Sequence, residues 1–295
     1  MQESYIARMN QAITHKRYFV NIIQKLHEQQ NQKNLLEEVF EKKSMINVNI
    51  LDYGCGGGLL TSVIAKECPG AKVMGYDLSL DMIEIARERF SGTNLQFIAD
   101  IRCLKNHSYD YIVLSSILHE VFSQFDNLFA ITTFLNSLQT YLKPGGYIIS
   151  RDNYVFDSTG KDIMKMHFTT LNIANRAVKF MEEIQRLAPR KSAIYYGIIS
   201  IDTEKQVIIG SERGIKEFLN KMTWGEESLS RESQESLFCF SPQDWKTMIP
   251  QNYNIIAQYN YVDSSYLSYL RNIVEIPENF PTHQWTILQV LSPNV

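Results

Sequence analysis

The chain has 295 residues, of which 44% are hydrophobic and 21% charged; these are the proportions of an ordinary globular protein and exclude wholesale disorder. Twenty-nine basic and 32 acidic side chains leave a net charge of −3, so no global positive field draws in nucleic acid. Four scattered cysteines (Cys55, Cys68, Cys103, Cys239) form no CxxC pair, which argues against both a disulfide framework and structural zinc. The N-terminus has no apolar leader, and no run reaches the roughly 18 apolar residues of a membrane helix. The expectation is a reducing, cytoplasmic setting without membrane contact.

Residues 1–45 read as an N-terminal helical cap. Phe19, Ile22, Ile23, Leu26, Leu35 and Val39 recur at three- and four-residue spacing, and EQQNQKN (28–34) breaks the pattern into two helices. Residues 46–156 then alternate between short apolar runs and amphipathic stretches. Strands are predicted at 48–52, 72–76, 95–99, 110–115 and 146–150, and helices at 58–67, 80–90, 116–122 and 127–141, with Ser79 as a cap and LKPGG (142–146) as a helix stop. Such alternation predicts crossover connections and a mainly parallel sheet.

The rhythm changes after Asp152. Residues 157–237 read as an insertion: one or two helices over 157–186, a β-hairpin over 193–210 turning at Asp202–Lys205, a helix over 213–222 and a polar loop over 223–235. Residues 238–295 read as a helix starting at Ser241-Pro242 followed by strands at YNIIAQYNYV and 285–292, completing the core sheet.

The stretch Asp52-Tyr53-Gly54-Cys55-Gly56-Gly57-Gly58 carries the most chemical information. A strand ends, the chain turns and a helix begins, and glycines there let a ligand approach the backbone. Asp77, 19 residues beyond Gly58, ends the next strand, where a carboxylate can accept from both hydroxyls of a ribose. Asp100 ends the third strand in the equivalent place. A dinucleotide GxGxxG fingerprint fails at Leu59, and a P-loop fails because no Lys-Ser/Thr follows the glycines.

The glycine run instead resembles motif I of the class I S-adenosylmethionine-dependent methyltransferases, [D/E]xGxGxG. The resemblance extends in order and spacing through YDLS (76–79), IAD (98–100), YDYIVLSSILHEV (109–121) and LKPGG (142–146). It implies an α/β fold with a doubly wound, mostly parallel seven-stranded sheet, and S-adenosyl-L-methionine as cofactor with S-adenosyl-L-homocysteine as product. By position, Asp52, Tyr53, Gly54, Gly56 and Gly58 would pass the methionine moiety and Asp77 would hold the ribose. Leu78 and Met82 would pack near the adenine, Asp100 would accept from its amino group beside Ile101, and Ser115 would face the sulfonium.

Methyl transfer requires alignment of a nucleophile, exclusion of water and, for a hydroxyl or ammonium acceptor, a base. His119, following the fourth strand in SSILHE, is the first candidate, with Glu120 beside it, although helix neighbours point about 100° apart. Arg151 is a candidate for binding an anionic substrate and Asp152 for base or acceptor; the competing reading is an Arg–Asp structural pair. Trp224 could stack on a planar substrate, and Tyr5 and Tyr18 could cover the cofactor. Cys55 reads as a small filler. In the resembled family, additions after the fifth strand commonly form a substrate lid. Residues 157–237 hold 12 basic and 12 acidic side chains, and residues 1–45 hold seven and five, which gives no case for a nucleic-acid clamp. A small-molecule acceptor methylated on O or N is the expectation; RNA such as tRNA, and a non-catalytic cofactor- or partner-binding module, are the alternatives.

Overall fold

The computed structural model describes residues 13–31, 45–156, 162–187, 198–224, 229–278 and 280–291. Helix α1 (Ile13–Asn31) precedes strand β1 (Asn49–Tyr53), and from there the core alternates: α2 (Leu59–Glu67), β2 (Lys72–Tyr76), α3 (Leu80–Arg89), β3 (Leu95–Ile98), β4 (Tyr109–Ser115), α4 (Leu118–Phe125), α5 (Leu128–Leu138) and β5 (Leu142–Asn153). The later chain supplies β6 (Ile163–His167), α6 (Leu171–Leu187), β7 (Ile198–Asp202), β8 (Val207–Ser211), α7 (Glu212–Met222), a helical turn at Leu229–Glu232, α8 (Pro242–Met248), β9 (Tyr253–Tyr261), α9 (Ser264–Arg271) and β10 (His283–Val290).

Seven strands form one sheet in the order β3-β2-β1-β4-β5-β10-β9. Strands β1 to β5 are mutually parallel, while β10 runs antiparallel to both neighbours. Parallel strands need crossovers, and helices over both faces bury both sides, which is why β1 and β4 read as continuous apolar runs. On one face Phe19 and Ile23 of α1 and Ile64 of α2 pack on Ile50, Tyr111, Ile149 and Trp285. On the other, Ile131 and Leu135 of α5 and Trp245 of α8 pack on Leu51, Leu114 and Leu288. Alternation along β5 therefore sends Ile149 to the α1 side and Ile148 to the α5 side. That same alternation separates Arg151 from Asp152.

A smaller sheet, in the order β6-β8-β7, packs with α6, α7 and α9 around Phe180, Ile215, Phe218 and Val274. The sequence-based expectation fails in four places here. Residues 163–167 form a strand rather than the start of a helix, because IMKMH alternates and pairs along β8. LKPGG lies within β5: the register slips between Leu142 opposite Tyr109 and Tyr147 opposite Tyr111, so Pro144 occupies a bulge where its missing N–H costs no ladder bond. Helix α9, capped by Asp263, had no predicted counterpart. Within 223–235, Glu232 and Ser233 are buried rather than solvated. Residues 32–44, 193–197 and Tyr5 lie outside the described residues, and with them the second N-terminal helix and the start of the hairpin.

Candidate active site

The glycine loop is built by backbone geometry that only glycine adopts easily. Gly54 has φ 77°, and a Cβ there would collide with Ile117 Cδ1. Gly58 caps α2 at φ 80°, and a Cβ would meet the Phe97 ring at 2.7 Å. Space beside Gly56 is open, with nothing within 4 Å of the Cβ position. Asp77 ties this loop to the next one: its Oδ2 accepts from Gly56 N at 2.7 Å and its Oδ1 from Ser79 N at 2.9 Å. Tyr76 O accepts from Gly54 N and Cys55 N. The bend and the carboxylate are thus joined at neighbouring strand ends.

Asp52 is fully buried on the α1 side. Its Oδ2 accepts from Thr61 Oγ1 at 2.7 Å, while Oδ1 has no partner among the described residues. Burial pushes its carboxyl up to about 6, partly offset by Thr61 and Lys16. Leu78 is 80% exposed beyond β2, and Ile101 is also exposed beyond the adjacent β3. Met82 is half-buried in the first turn of α3. Two bare apolar side chains at neighbouring strand ends suit a planar base, and an orphaned carboxylate oxygen beside an open glycine bend suits an ammonium. The residues present therefore fit S-adenosyl-L-methionine.

Two predicted residues sit differently. The Tyr53 ring turns to the α5 side and packs on Tyr76 at 4.8 Å and Phe134 at 5.4 Å, inside the core layer rather than in the loop. Asp100 caps a short turn and accepts from Arg102 N, Nε and Nη2 at 2.7–3.1 Å; these hydrogen bonds hold its exposed carboxyl at about 2. A contact to an adenine amino group must be shared with Arg102. Cys55 is buried, and burial raises its thiol far out of the nucleophilic range.

At the end of β4 the chain turns through Ser116, a non-glycine residue at φ 61°, whose N–H donates to Arg151 O. This turn starts α4 and swings His119 against β5. His119 Nδ1 lies 2.7 Å from Asp152 Oδ1, and Asp152 Oδ2 accepts from Leu118 N at 2.9 Å. Glu120 Oε1 reaches His119 Nε2 at 3.5 Å from a half-exposed position. Burial pulls the imidazole down, but the charges and hydrogen bonds of Asp152 and Glu120 outweigh it and hold His119 well above its usual value, at about 10. In this state His119 is an imidazolium.

Arg151 does not join that pair. It points to the opposite face, with Nη2 on Asp263 Oδ2 at 3.0 Å and Nη1 on Ser116 Oγ at 3.3 Å. The expected Arg–Asp neighbour pair is thus replaced by two separate pairs. Ser115 stands in register with Arg151. Tyr18 packs edge-on against Tyr261 at 4.9 Å and fixes α1 to the sheet. Trp224 is half-buried at the end of α7.

Three groups escaped the sequence reading. Lys16 is buried on α1 within electrostatic reach of Asp52, Arg151 and Asp263. Its signal was its register: it lies three, four and seven residues before Phe19, Val20 and Ile23, on the apolar face. Asp263 is the second. The third is Glu217 of α7, whose Oε1 accepts from Leu237 N at 3.0 Å while Oε2 is orphaned. Burial lifts Glu217 to about 7 against the pull of Lys221, Leu237 N, Ser236 and His119. Beside it, Lys216 donates to Tyr154 O, pairs with Glu212 at 2.9 Å and sits over the Phe156 ring. Tyr154, Lys216, Asn220, Cys239, Tyr266 and Thr282 line a narrow cavity of about 10 Å³, which is room for one water.

The chain matches the family described as "Methyltransferase domain" over residues 45–249, more than half its length. It belongs to that family, and its sheet order and glycine loop are those of the class I S-adenosylmethionine-dependent methyltransferases. Among curated relatives it is 30% identical over 158 residues to a malonyl-[acyl-carrier protein] O-methyltransferase of Acetivibrio thermocellus, covering 52% of this chain and 51% of the relative. It is 29% identical over 155 residues to a ubiquinone biosynthesis O-methyltransferase of Vibrio cholerae, covering 50% and 57%. The chain thus spans about half the length of the curated relatives it matches. A solved methyltransferase structure from Mesorhizobium loti aligns over 83% of this chain and 92% of its own, at 17% identity and a TM-score of 0.47. Among the described residues, no helix is long and apolar enough to cross a membrane.

Proposed function

We propose that the protein transfers a methyl group from S-adenosyl-L-methionine to an oxygen or nitrogen atom of a small molecule. The observation that carries this reading is the convergence, at the C-terminal ends of β1, β2, β4 and β5, of the Gly54–Gly58 bend tied to Asp77 and the His119–Asp152 pair. Ligands of open α/β sheets bind at that edge. Both relatives described above are named O-methyltransferases, which favours oxygen as the acceptor atom.

The cofactor supplies a methyl carbon activated by a cationic sulfur. The protein's task is to align the acceptor, remove its proton and keep water out. Asp52, the glycine bend and Asp77 hold the cofactor's amino-acid and ribose ends, with Leu78, Met82 and Ile101 against the base and Ser115 near the centre. Asp152 fixes the Nδ1 proton of His119 and leaves Nε2 to face the acceptor. In the described state Glu120 covers Nε2. An entering acceptor displaces that half-exposed carboxylate, which carries the Nε2 proton away with it to solvent as the imidazole loses one of its two stabilising charges, and the neutral Nε2 then takes the acceptor's proton.

Residues 157–237 act as the acceptor lid. Helix α7 puts Glu217 within electrostatic reach of His119, so this segment borders the proposed acceptor position. The test is transfer of labelled methyl from the cofactor into cell extract fractions. Label entering the small-molecule fraction, and lost with His119→Ala, is the expected result. Label entering bulk RNA instead, and falling steeply with salt, would overturn the small-molecule reading.

A further inference from the structure

The seven-stranded sheet ends in two unlike edges. At one end, β3 is only four residues long. Its Asn94 and Ile98 carbonyls face β2, where they accept from Val73 N and Asp77 N, so the Phe97 carbonyl faces outward. Arg87 takes that carbonyl, with Nη2 at 2.7 Å and Nε at 3.2 Å. At the other end, β9 runs for nine residues without a charge or a proline, and only its first residue, Tyr253, is buried. Its one strand partner among the described residues is β10. A long uncharged edge is a template for another strand, and proteins blunt such edges with charge, proline, bulges or cover. The bulge at Ile256 is one such device, but it leaves Ala257–Tyr261 in unbroken register with β10.

The side chains of this edge suit one partner in particular. Tyr261 O accepts from Thr282 N, on the β10 side. Alternation then turns the backbone groups of Ala257 and Tyr259 toward β10 as well, and those of Gln258 and Asn260 away from it. The segment IAQYNYV (256–262) has nearly the same pattern in both directions: aliphatic, small or aromatic, amide, and a central tyrosine. Two copies laid antiparallel about a two-fold axis at Tyr259 set Tyr259 against Tyr259, Gln258 against Asn260, Ala257 against Tyr261 and Ile256 against Val262. Gln258 and Asn260 then supply the hydrogen-bonded pairs and Tyr259 the close pair between them, which is the alternation an antiparallel ladder requires. Aromatic meets aromatic on the axis, small meets large beside it, and no like charges face one another. Ile256 is 45% exposed and Tyr259 37%, so the row is open to a partner.

We propose that β9 is a self-association surface, and that the protein forms a two-fold dimer in which β9 pairs antiparallel with β9 of a second copy, centred on Tyr259. The two large sheets thereby become one continuous sheet. The contact is isologous and closes on itself. Growth into a filament would need the β3 edge, and Arg87 already occupies its outward carbonyl. The inference is independent of the cofactor reading, since β9 lies beyond β10 at the opposite end of the sheet from β2 and Asp77.

The experiment is sedimentation velocity of the full chain at increasing concentration, without cofactor or acceptor. The wild type is expected to pass from monomer to dimer with a Kd of about 10 µM, the scale of a small interface built on one strand pair. Gln258→Lys with Asn260→Lys sets like charges opposite one another on both sides of the axis and is expected to weaken the dimer about 10-fold or more. Gln258→Lys with Asn260→Glu sets opposite charges there and is expected to bring the affinity back to within about threefold of wild type. A wild type that stays monomeric up to about 200 µM would overturn the proposal. So would a dimer that both double variants affect alike, since the charges would then not meet across this axis. Should the variants not fold, as judged by far-UV circular dichroism, amide hydrogen exchange of the wild type decides. The outward amides of Gln258 and Asn260 should slow as protein concentration rises, while those of Tyr259 and Tyr261 stay slow throughout. Outward amides that exchange fast at every concentration would overturn the dimer, and so would outward amides already protected in the monomer by another segment of the chain.

Discussion

His119 shows how one turn converts a sequence neighbour into a chemical partner. Its proximity to Asp152, 33 residues away, depends on Ser116 adopting a left-handed conformation at the end of β4. Sequence spacing marked both residues as candidates but could not pair them, since it gives no register between β4 and β5. It paired Arg151 with Asp152 by adjacency, and the pleat of β5 sends those side chains to opposite faces. With two carboxylates on its nitrogens, His119 should titrate far above 6.5. Glu120→Gln is expected to lower that value by one unit or more, read from the imidazole carbon shifts of labelled protein, and an unchanged titration would remove Glu120 from the site. His119→Ala should lower kcat by about 10²–10⁴, the usual worth of a general base, with S-adenosyl-L-homocysteine affinity within about twofold of wild type. The sign for stability also follows. A histidine raised in the folded state contributes fully below pH 6.5, and that contribution is lost as pH rises toward 10. Asp152→Asn should remove this pH-dependent part of the urea-melt stability.

At the scale of elements, the parallel strands were legible because strands buried on both faces carry unbroken apolar runs, as in YIVL of β4. Helix α3 was legible from Ser79, whose hydroxyl accepts from Met82 N, and α8 from Ser241-Pro242; the structure adds a capping box between Ser241 and Asp244. Helix α7 was located, but the burial of its charges was not legible. ERGIKEFLNKM has the charge alternation of a solvated helix, yet Glu212, Lys216, Glu217 and Lys221 are all buried, because one face packs on the small sheet and the other on the core. Glu217 provides a measurable consequence. Its folded value of about 7 lies above its ordinary 4.5, so the stability it contributes at low pH is lost as pH rises from 4.5 through 7. Glu217→Gln does not ionise, so its stability relative to wild type should increase by about 2–3 kcal/mol between pH 4 and pH 8 in denaturant melts. A pH-independent difference would mean that Glu217 is not the titrating group. In the glycine bend, Gly58→Ala forces a Cβ into Phe97 and Ala86 at a left-handed backbone position. A loss of about 1–3 kcal/mol in thermal or urea unfolding is expected.

Across the whole molecule, a seven-stranded sheet carries the glycine bend at its edge, and a second, three-stranded sheet packs with helix α7, which belongs to the lid proposed above. The first was legible in its strand order because its motifs follow one another in fixed order along the chain, although LKPGG, read as a helix stop, lies within β5. In the second, the β7–β8 hairpin turning after Asp202 was legible, but β6 was not, and its polar side chains meet groups far away in sequence, such as Glu217 with Leu237 and Ser236. Helix α1 belongs to the first body: Phe19 packs on Trp285 at 4.4 Å, so the N-terminal helix is a layer of the core and not a detached cap. The central claim is that the bend at Gly54–Gly58 and the carboxylate of Asp77 together hold S-adenosyl-L-methionine and its product. Titration of S-adenosyl-L-homocysteine into wild type and Asp77→Ala tests it most directly. Saturable one-site binding, weakened about 10-fold or more by a substitution that leaves the secondary structure intact, is the predicted result. Folded wild-type protein that takes up none of the ligand, or an Asp77→Ala variant that binds it as tightly, would contradict the account.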